Sequence, residues 1–334
     1  MRAADLPTPA LVIDVTALEH NVTTMAAALP GARLRPHVKA HKCTEIARRQ
    51  AAAGHRSFCC ATPLEVIRMA RAGLGDDLLL ANETVDPARL GAMAACGGRV
   101  TVAVDSDATV EAAAAAGIRE VLVDVCVGLP RCGCAPDEAG RLADLARVRG
   151  ITVRGVMGYE GHVVGIEDRV ARAEQTAQCM ALLLRAHALT GGDIVSAGGT
   201  GTYDCNTWAN EIQAGSYVLM DTAYDKLGLP FRRGLQALAT VVSVNDLWSV
   251  ADCGLKALGM DHGDPSIDGA SVWFCSDEHI TFATQPPPRV GDRVIVWPAH
   301  IDPTIAYHEV LHVADGPGLD AEIIETWPVD LRGW

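Results

Sequence analysis

The chain has 334 residues, 49% of them hydrophobic, and a formal net charge of −13 at pH 7. That length exceeds one small core and suits a barrel with a second domain. The acidic balance argues against nucleic acid or an anionic membrane as partner, while leaving an anionic small molecule open, because local charge can oppose the overall sign.

The opening, Met1 to Pro7, lacks the apolar core of a signal peptide, and no apolar run reaches membrane-spanning length, which points to a cytoplasmic protein. Ala10 to Asp14 reads as a short strand. Thr16, with Glu19 three residues on, forms a capping box for the helix that follows, and that helix ends near Pro30-Gly31. A rhythm then begins in which apolar runs alternate with Ala/Arg/Glu-rich helical stretches. The spacing predicts strands over Arg33 to His37, Ser57 to Cys60, Asp77 to Leu80, Val100 to Val104, Glu120 to Val125, Thr152 to Met157, Asp193 to Ala197 and Gly215 to Met220. Helices are expected between them, among them Pro63 to Ala72, Asp107 to Ala115, Pro136 to Arg149 and Ile166 to Leu189. Strands alternating with helices predict parallel βαβ units, and eight of them an α/β fold of the (β/α)8 TIM-barrel type. A doubly wound open sheet shows the same rhythm, but no Gly-x-Gly-x-x-Gly follows the first strand.

After about Leu235 the long helices stop. Thr240 to Val244, Ser271 to Phe274, Arg293 to Val296 and Glu309 to Val313 read as strands of a mostly-β C-terminal domain. The expected organisation is an N-terminal strand joining that domain (1–15), a barrel (16–234) and the β domain (235–334). The eleven cysteines are scattered without a Cys-x-x-Cys pair, so they read as buried free thiols.

Several short stretches carry chemistry. Arg35-Pro-His-Val-Lys-Ala-His-Lys42 puts Lys39 at the end of the first barrel strand, where a (β/α)8 barrel keeps its reactive groups. Lysine forms a Schiff base with a carbonyl cofactor once its pKa is lowered; alone, the stretch is equally a basic turn. Gly198-Gly199-Thr200-Gly201-Thr202 follows the seventh strand, the usual phosphate position in a barrel, and Gly215-Ser216-Tyr217 can complete it. Arg131, after the fifth strand, can hydrogen-bond an anionic oxygen. Tyr159 and His162 follow the sixth strand and are candidates for acid, base or stacking roles. His300-Ile-Asp302, read as extended, places two side chains on one face about 7 Å apart, a spacing that suits one divalent cation. His308-Glu-Val-Leu-His312 matches the His-Glu-x-x-His pattern of metalloproteases. It sits among strands, where the histidines would lie roughly 13 Å apart, so the motif is rejected.

On these residues the chain resembles the fold-type III pyridoxal-phosphate enzymes, alanine-racemase-like in architecture, and within them the D-threonine aldolase and D-serine dehydratase group. Leu6-Pro-Thr-Pro9 with Leu11-Val-Ile-Asp14 looks like the family's opening, and Arg35 to Lys42 like its most specific motif. Asp252-Cys253-Gly254 with Lys256 resembles the stretch that opens the family's β domain. The resemblance implies that Lys39 carries pyridoxal 5'-phosphate, that Thr200, Gly201, Thr202, Ser216 and Tyr217 bind its phosphate, and that Arg131 and Tyr159 lie beside the cofactor. His41 and Tyr159 join Lys39 as catalytic candidates. His300-x-Asp302 resembles the aldolase form of the metal site, with Mg²⁺ or Mn²⁺ favoured over Zn²⁺. The implied reaction is retro-aldol cleavage of a D-β-hydroxy-α-amino acid to glycine and an aldehyde. The alternative is dehydration of D-serine or D-3-hydroxyaspartate to a 2-oxo acid and ammonia. A homodimer is expected by the same resemblance.

Overall fold

The computed structural model describes residues 1–334. Two compact units share the chain: residues 25–39, 46–215 and 333–334 form one, and residues 1–24, 40–45 and 216–332 the other. In chain order the elements are β1 (Ala10–Asp14), α1 (Val15–Ala28), α2 (Thr44–Ala52), β2 (Ser57–Cys60), α3 (Pro63–Arg71), β3 (Asp77–Leu80) and α4 (Pro87–Ala94). Next come β4 (Val100–Val104), α5 (Asp107–Ala115), β5 (Glu120–Asp124), α6 (Ala139–Val148), β6 (Thr152–Gly158), α7 (Arg169–Thr190), β7 (Ile194–Ala197) and β8 (Glu211–Ile212). The remainder is α8 (Thr222–Asp225), β9 (Leu235–Val244), β10 (Ser249–Ala251), β11 (Ala270–Cys275), β12 (Ile280–Thr284), β13 (Arg293–Val296), α9 (Ile301–Tyr307), β14 (Val310–Ala314) and β15 (Ile323–Pro328).

In the first unit, β2 to β8 pair in sequence order, each with the next in parallel. The eighth stave is the stretch 34–37, which meets both edges of that sheet. Leu34 bridges Ile212 and His37 bridges Cys59. The Arg35 N–H donates to Ile212 O (2.9 Å), the His37 N–H to Ala214 O (3.0 Å), and the Cys59 N–H to Pro36 O (2.9 Å). The regular strand expected over 33–37 is therefore an extended piece between two 3-10 turns, Gly31–Arg33 and Val38–Ala40. Pro36 has no N–H to give, and the ladder is interrupted there.

The strand expected over 215–220 is also corrected. The last stave is β8, and Ser216–Val218 is a 3-10 turn. Residues 217–220 are all buried, so their apolar run carries no period from which a strand could be told.

Side chains alternate across each strand. Cys59, Leu79, Ala103, Leu122 and Met157, one from each of β2 to β6, form one apolar cluster. Two residues earlier, β3 carries Asp77, which joins a charged layer. Both Arg35 Nη atoms lie 3.2 Å from the Asp77 carboxylate, and Arg35 Nε lies 2.8 Å from Glu211 Oε1. Arg154 grips the same Asp77 with two bonds of 2.7 Å and adds Thr101 Oγ1 at 2.7 Å. Burial opposes ionisation of Asp77, but the hydrogen bonds from Arg154 and the charge of Arg35 win and hold it down at about 2.

The second unit is built on one mixed sheet, in the order β11-β12-β10-β9-β1-β14-β15 with β13 also on β9. β1 precedes the barrel in sequence yet lies in this sheet, antiparallel to β9 and parallel to β14. The cap of α1 is Asp14 rather than Thr16. Its Oδ1 accepts from the Thr16 N–H (2.8 Å), the Thr16 hydroxyl (2.7 Å) and the Ala17 N–H (3.3 Å). A carboxylate at a helix start satisfies several orphan donors and suits the dipole. No helix is long and apolar enough to cross a membrane.

Candidate active site

In a parallel barrel the C-terminal ends of the strands open on one mouth. Lys39 follows the stretch 34–37, Arg131 lies in the loop after β5, Tyr159 follows β6, and Gly198 to Thr202 follow β7. Lys39 is half-buried on a 3-10 turn, and its N–H donates to His37 Nδ1 at 3.4 Å. The buried Cys59 thiol is pushed up by its burial, with the charges of Arg35 and Lys39 pulling the other way. That thiol donates to Gln213 Oε1 (3.1 Å), Gln213 Nε2 to Ser196 Oγ (2.9 Å), and the Ser196 hydroxyl to Glu211 Oε1 (2.7 Å). A continuous hydrogen-bonded chain thus runs from beside Lys39 to the charged layer.

The Arg131 guanidinium lies 5.5 Å from the centre of the Tyr159 ring, in cation–π range. Carboxyl groups gather nearby. Burial, and then the neighbouring charge of Glu83, hold the Asp124 carboxyl well above the usual carboxylate range. Glu83 and burial together push the Cys132 thiol up to about 12. Neither cysteine is set up as a nucleophile. His162 turns its ring onto Gly128, where an added Cβ would meet Cε1 at 2.9 Å, and its Nε2 lies 3.8 Å from Cys179 Sγ.

The glycine loop is tied from behind by Glu160. This residue is fully buried, and its carboxylate accepts from the Gly198 N–H (3.0 Å), the Thr202 hydroxyl (2.9 Å) and Asn206 Nδ2 (3.0 Å). Thr202 Oγ1 also accepts from the Gly199 N–H at 3.1 Å. Thr200 is buried at the loop's apex, beside Gly201, whose position is crowded: a Cβ there would fall 1.8 Å from Val164 O.

The second unit holds the other sequence-predicted residues. His41 is fully buried and its Nδ1 accepts from the Cys43 N–H at 3.2 Å, so in the neutral ring Nε2 carries the proton. Ser216 Oγ donates to Asp302 Oδ1 at 3.5 Å, and Tyr217 packs on Phe231 with ring centres 5.6 Å apart. The extended geometry expected for His300-x-Asp302 is replaced by a helix start. His300 is the N-cap of α9 (φ −145°, ψ 117°) and Asp302 lies in its first turn. Pro303 fits a first turn, which needs no N–H from it. The Thr304 hydroxyl donates to His300 O (2.6 Å), and Asp221 Oδ2 accepts the Ile301 N–H (3.2 Å).

Coiling the segment brings His300 Nε2 to 3.7 Å from Asp302 Oδ1. His300 Nδ1 lies 2.8 Å from Asp261, whose carboxylate is thereby held below its usual range despite the opposing effect of burial. The His262 ring stacks on His300 at 3.7 Å and 9°. The run from His308 is not helical: His308 is extended (φ −103°, ψ 155°) with Nε2 on Ala257 O, while His312 sits on β14 with Nδ1 on Thr326.

Comparison with known proteins gives the family. Residues 13–223 match the family model "Alanine racemase, N-terminal domain", and residues 234–314 match "Putative serine dehydratase domain". The chain is 34% identical to a D-threonine aldolase of an Arthrobacter species, over 99% of this chain and 94% of that one. The chain belongs to the fold-type III pyridoxal-phosphate enzymes. It lies in their group of lyases acting on D-β-hydroxy amino acids, which holds both aldolases and dehydratases. A 3-hydroxy-D-aspartate aldolase of Paracoccus denitrificans is 32% identical over all of this chain and 94% of its own. The crystal structure of a D-threonine aldolase from Filomicrobium marinum superposes with a TM-score of 0.92 at 32% identity, covering 98% of this chain and 96% of that one.

The residues present fit the family's cofactor. A lysine, a glycine loop with buried threonines and an Arg/Tyr pair all end at strand termini on one barrel mouth, and the interior beneath is closed by apolar and ion-paired layers. They also fit a divalent cation. With the Nδ1 proton on Asp261, His300 Nε2 presents a lone pair towards Asp302, and ligands of one ion at about 2.1 Å stand on the order of 3–4 Å apart. Three residues escape sequence reading: Glu160, Asp221 and Asp261. Glu160 and Asp261 reach their partners across dozens of residues, and Asp221, which also caps α8 locally, reaches Ile301 from 80 residues away.

Proposed function

We propose that this chain is a pyridoxal-phosphate- and divalent-metal-dependent aldolase. Its substrate is a D-configured β-hydroxy-α-amino acid of the D-threonine kind, and its products are glycine and an aldehyde. The observation that carries this reading is the His300/Asp302 pair, one nitrogen and one carboxylate oxygen with a second carboxylate, Asp261, behind the histidine. Mixed N/O donors suit Mg²⁺ or Mn²⁺, and Zn²⁺ less well than a thiolate set would.

Pyridoxal phosphate, held by Lys39 through its carbonyl carbon, supplies an electron sink for the charge left at Cα. A divalent ion on His300 and Asp302 supplies positive charge to the oxygen that loses its proton. Arg131 and Tyr159 orient the cofactor, Arg131 towards an anionic oxygen and Tyr159 through its ring. Thr200, Gly201 and Thr202 with Ser216 and Tyr217 make up the proposed phosphate-binding set, Thr200 and Gly201 at the apex that faces the phosphate and Thr202 shaping the loop behind it. Lys39 is placed to deliver a proton to Cα once the Cα–Cβ bond has broken; the proton lost in that cleavage is the β-hydroxyl's. His41, with Nδ1 already accepting from a backbone N–H, serves as a donor through Nε2, which suits an acid better than a base. His162, turned to Gly128 and Cys179, is the weaker candidate for proton transfer.

Dehydration of D-serine or D-3-hydroxyaspartate is the second reading, favoured by nothing in the site except the shared scaffold. Product analysis separates the two. Purified protein with pyridoxal phosphate and Mn²⁺ is incubated with D-threonine, D-serine and D-3-hydroxyaspartate. Glycine and an aldehyde support the aldolase, whereas a 2-oxo acid and ammonia sink it. Turnover that survives EDTA removes the metal's role. We further propose a homodimer in the cytoplasm with a small-molecule amino-acid substrate, which sedimentation and fractionation test.

A further inference from the structure

Resting on the reading of Gly198 to Thr202 as the phosphate loop, we propose that Glu160 is the positioning residue that sets this loop for the cofactor's phosphate. Its role is to hold both loop ends from behind as a pure hydrogen-bond acceptor. One carboxylate takes a donor from the loop's first residue, one from its last, and one from Asn206 four residues beyond. Asn206 is in turn fixed, its Oδ1 accepting the Ala209 N–H at 3.2 Å. Glu160 follows Tyr159 directly in the chain, so the group that holds the loop and the ring beside it move as one piece of backbone.

The bonding assigns the loop's groups to two tasks. The Gly198 N–H and the Thr202 hydroxyl are given to Glu160, the Gly199 N–H to Thr202 Oγ1 (3.1 Å), and the Thr202 N–H to Gly199 O (3.2 Å). These groups build the scaffold. The apex, Thr200 and Gly201, is what an anion meets. Gly201 is pressed so close to Val164 O that only glycine fits, which fixes the apex from the other side.

The set of donors explains a glutamate in place of glutamine. Gly198 offers a backbone N–H that cannot turn round. On the other oxygen, Asn206 brings an N–H and cannot flip without losing Ala209. Both oxygens of residue 160 must therefore accept, and an amide would set an N–H against an N–H on one side. A buried carboxylate satisfied by three donors is stable where a half-satisfied amide is not.

The test compares two cofactor forms on one protein. Apoprotein is titrated with pyridoxal phosphate and with pyridoxal, which lacks the phosphate, following the Lys39-dependent visible absorbance. Glu160→Gln is expected to weaken pyridoxal phosphate about 10- to 100-fold and leave pyridoxal unchanged, because a loop that has lost a charge-assisted tie presents its apex donors poorly and only the phosphate uses them. Thr202→Val, which removes one of the three donors, should show the same selective loss, and Thr202→Ser should restore binding. These two variants carry the test if Glu160→Gln does not fold. Equal weakening of both forms, or wild-type affinity for pyridoxal phosphate in Glu160→Gln and Thr202→Val, overturns the role of Glu160 alone. Wild-type protein that shows no Lys39-dependent absorbance overturns the reading of the site itself, and this proposal with it.

Discussion

Asp261 holds His300 by Nδ1 at 2.8 Å, and the other ring nitrogen stands 3.7 Å from Asp302. The carboxylate fixes both the tautomer and the ring plane, so the lone pair of Nε2 is aimed before any ion arrives. Asp261→Ala should weaken Mn²⁺ binding by about 10- to 100-fold, the usual effect of losing such a partner. Calorimetric titration of metal into the variant measures it directly, and an unchanged affinity would remove Asp261 from the site.

Lys39→Ala should abolish the visible absorbance that pyridoxal phosphate acquires on binding, together with turnover. Lys39→Arg should not restore either, because a guanidinium stays protonated and cannot act as the nucleophilic amine. Retention of the absorbance in Lys39→Ala would place the cofactor on another lysine.

The charged layer in the barrel predicts an acid transition. Asp77 is held at about 2, below its ordinary 3.8. Its contribution is complete above 3.8 and is lost as the pH falls from there to 2, on the order of 2 kcal/mol in all. Asp77→Asn should remove this dependence and destabilise the protein by about 3–5 kcal/mol at neutral pH, because Arg35 and Arg154 then lose their shared partner. Urea denaturation at pH 7 and pH 3 tests both parts.

His55 predicts a milder loss nearer neutrality. It is fully buried, its Nδ1–H donates to Gly31 O at 3.0 Å, and its Nε2 has no hydrogen-bond partner. Burial lowers its pKa below 6.5, with the bond to Gly31 opposing. The unfolded chain takes up a proton first, so the contribution is complete above 6.5 and fades as the pH drops towards the lowered value. The slope is at most about 1.4 kcal/mol per pH unit. Thermal melts between pH 7.5 and 5.5 should show a decline that His55→Gln flattens; identical slopes would refute the assignment.

Gly201→Ala should be severe, since the new Cβ would sit 1.8 Å from Val164 O. We expect destabilisation of about 1–3 kcal/mol or more and a larger loss of pyridoxal-phosphate binding than of folding. Fluorescence-monitored melting beside a cofactor titration separates the two effects.

Much of this molecule is legible in its residues because buried parallel strands leave continuous apolar runs. β2, β3 and β4 lie where the spacing predicts them, and α3 and α5 within a residue, while α6 and α7 begin three residues later than expected. The misses have physical causes. Pro36 broke the ladder at the lysine's own stave, and 217–220 is buried on every side. Pro303, with a cap supplied by Asp221 from 80 residues away, coiled a segment that reads as extended. β10, β12 and β15 lie in a twisted mixed sheet where alternation is faint. At the proposed site, Lys39, Arg131, Tyr159, the glycine loop and His300-x-Asp302 are singled out by residue type and spacing. Glu160 and Asp261 do not, because their partners lie 38 to 46 and 39 residues away, and only folding shows the pairing.

Arg35 stands four residues before Lys39, fully buried and locked to Glu211 on one side and Asp77 on the other. In the proposed mechanism Lys39 releases and recaptures its cofactor at every turnover, and it would do so from a rigid footing: the amine travels on its four-carbon stem while the peptide at its root stays still. In hydrogen exchange, the amides of Arg35 and His37 should be among the slowest in the barrel, although no regular strand contains them.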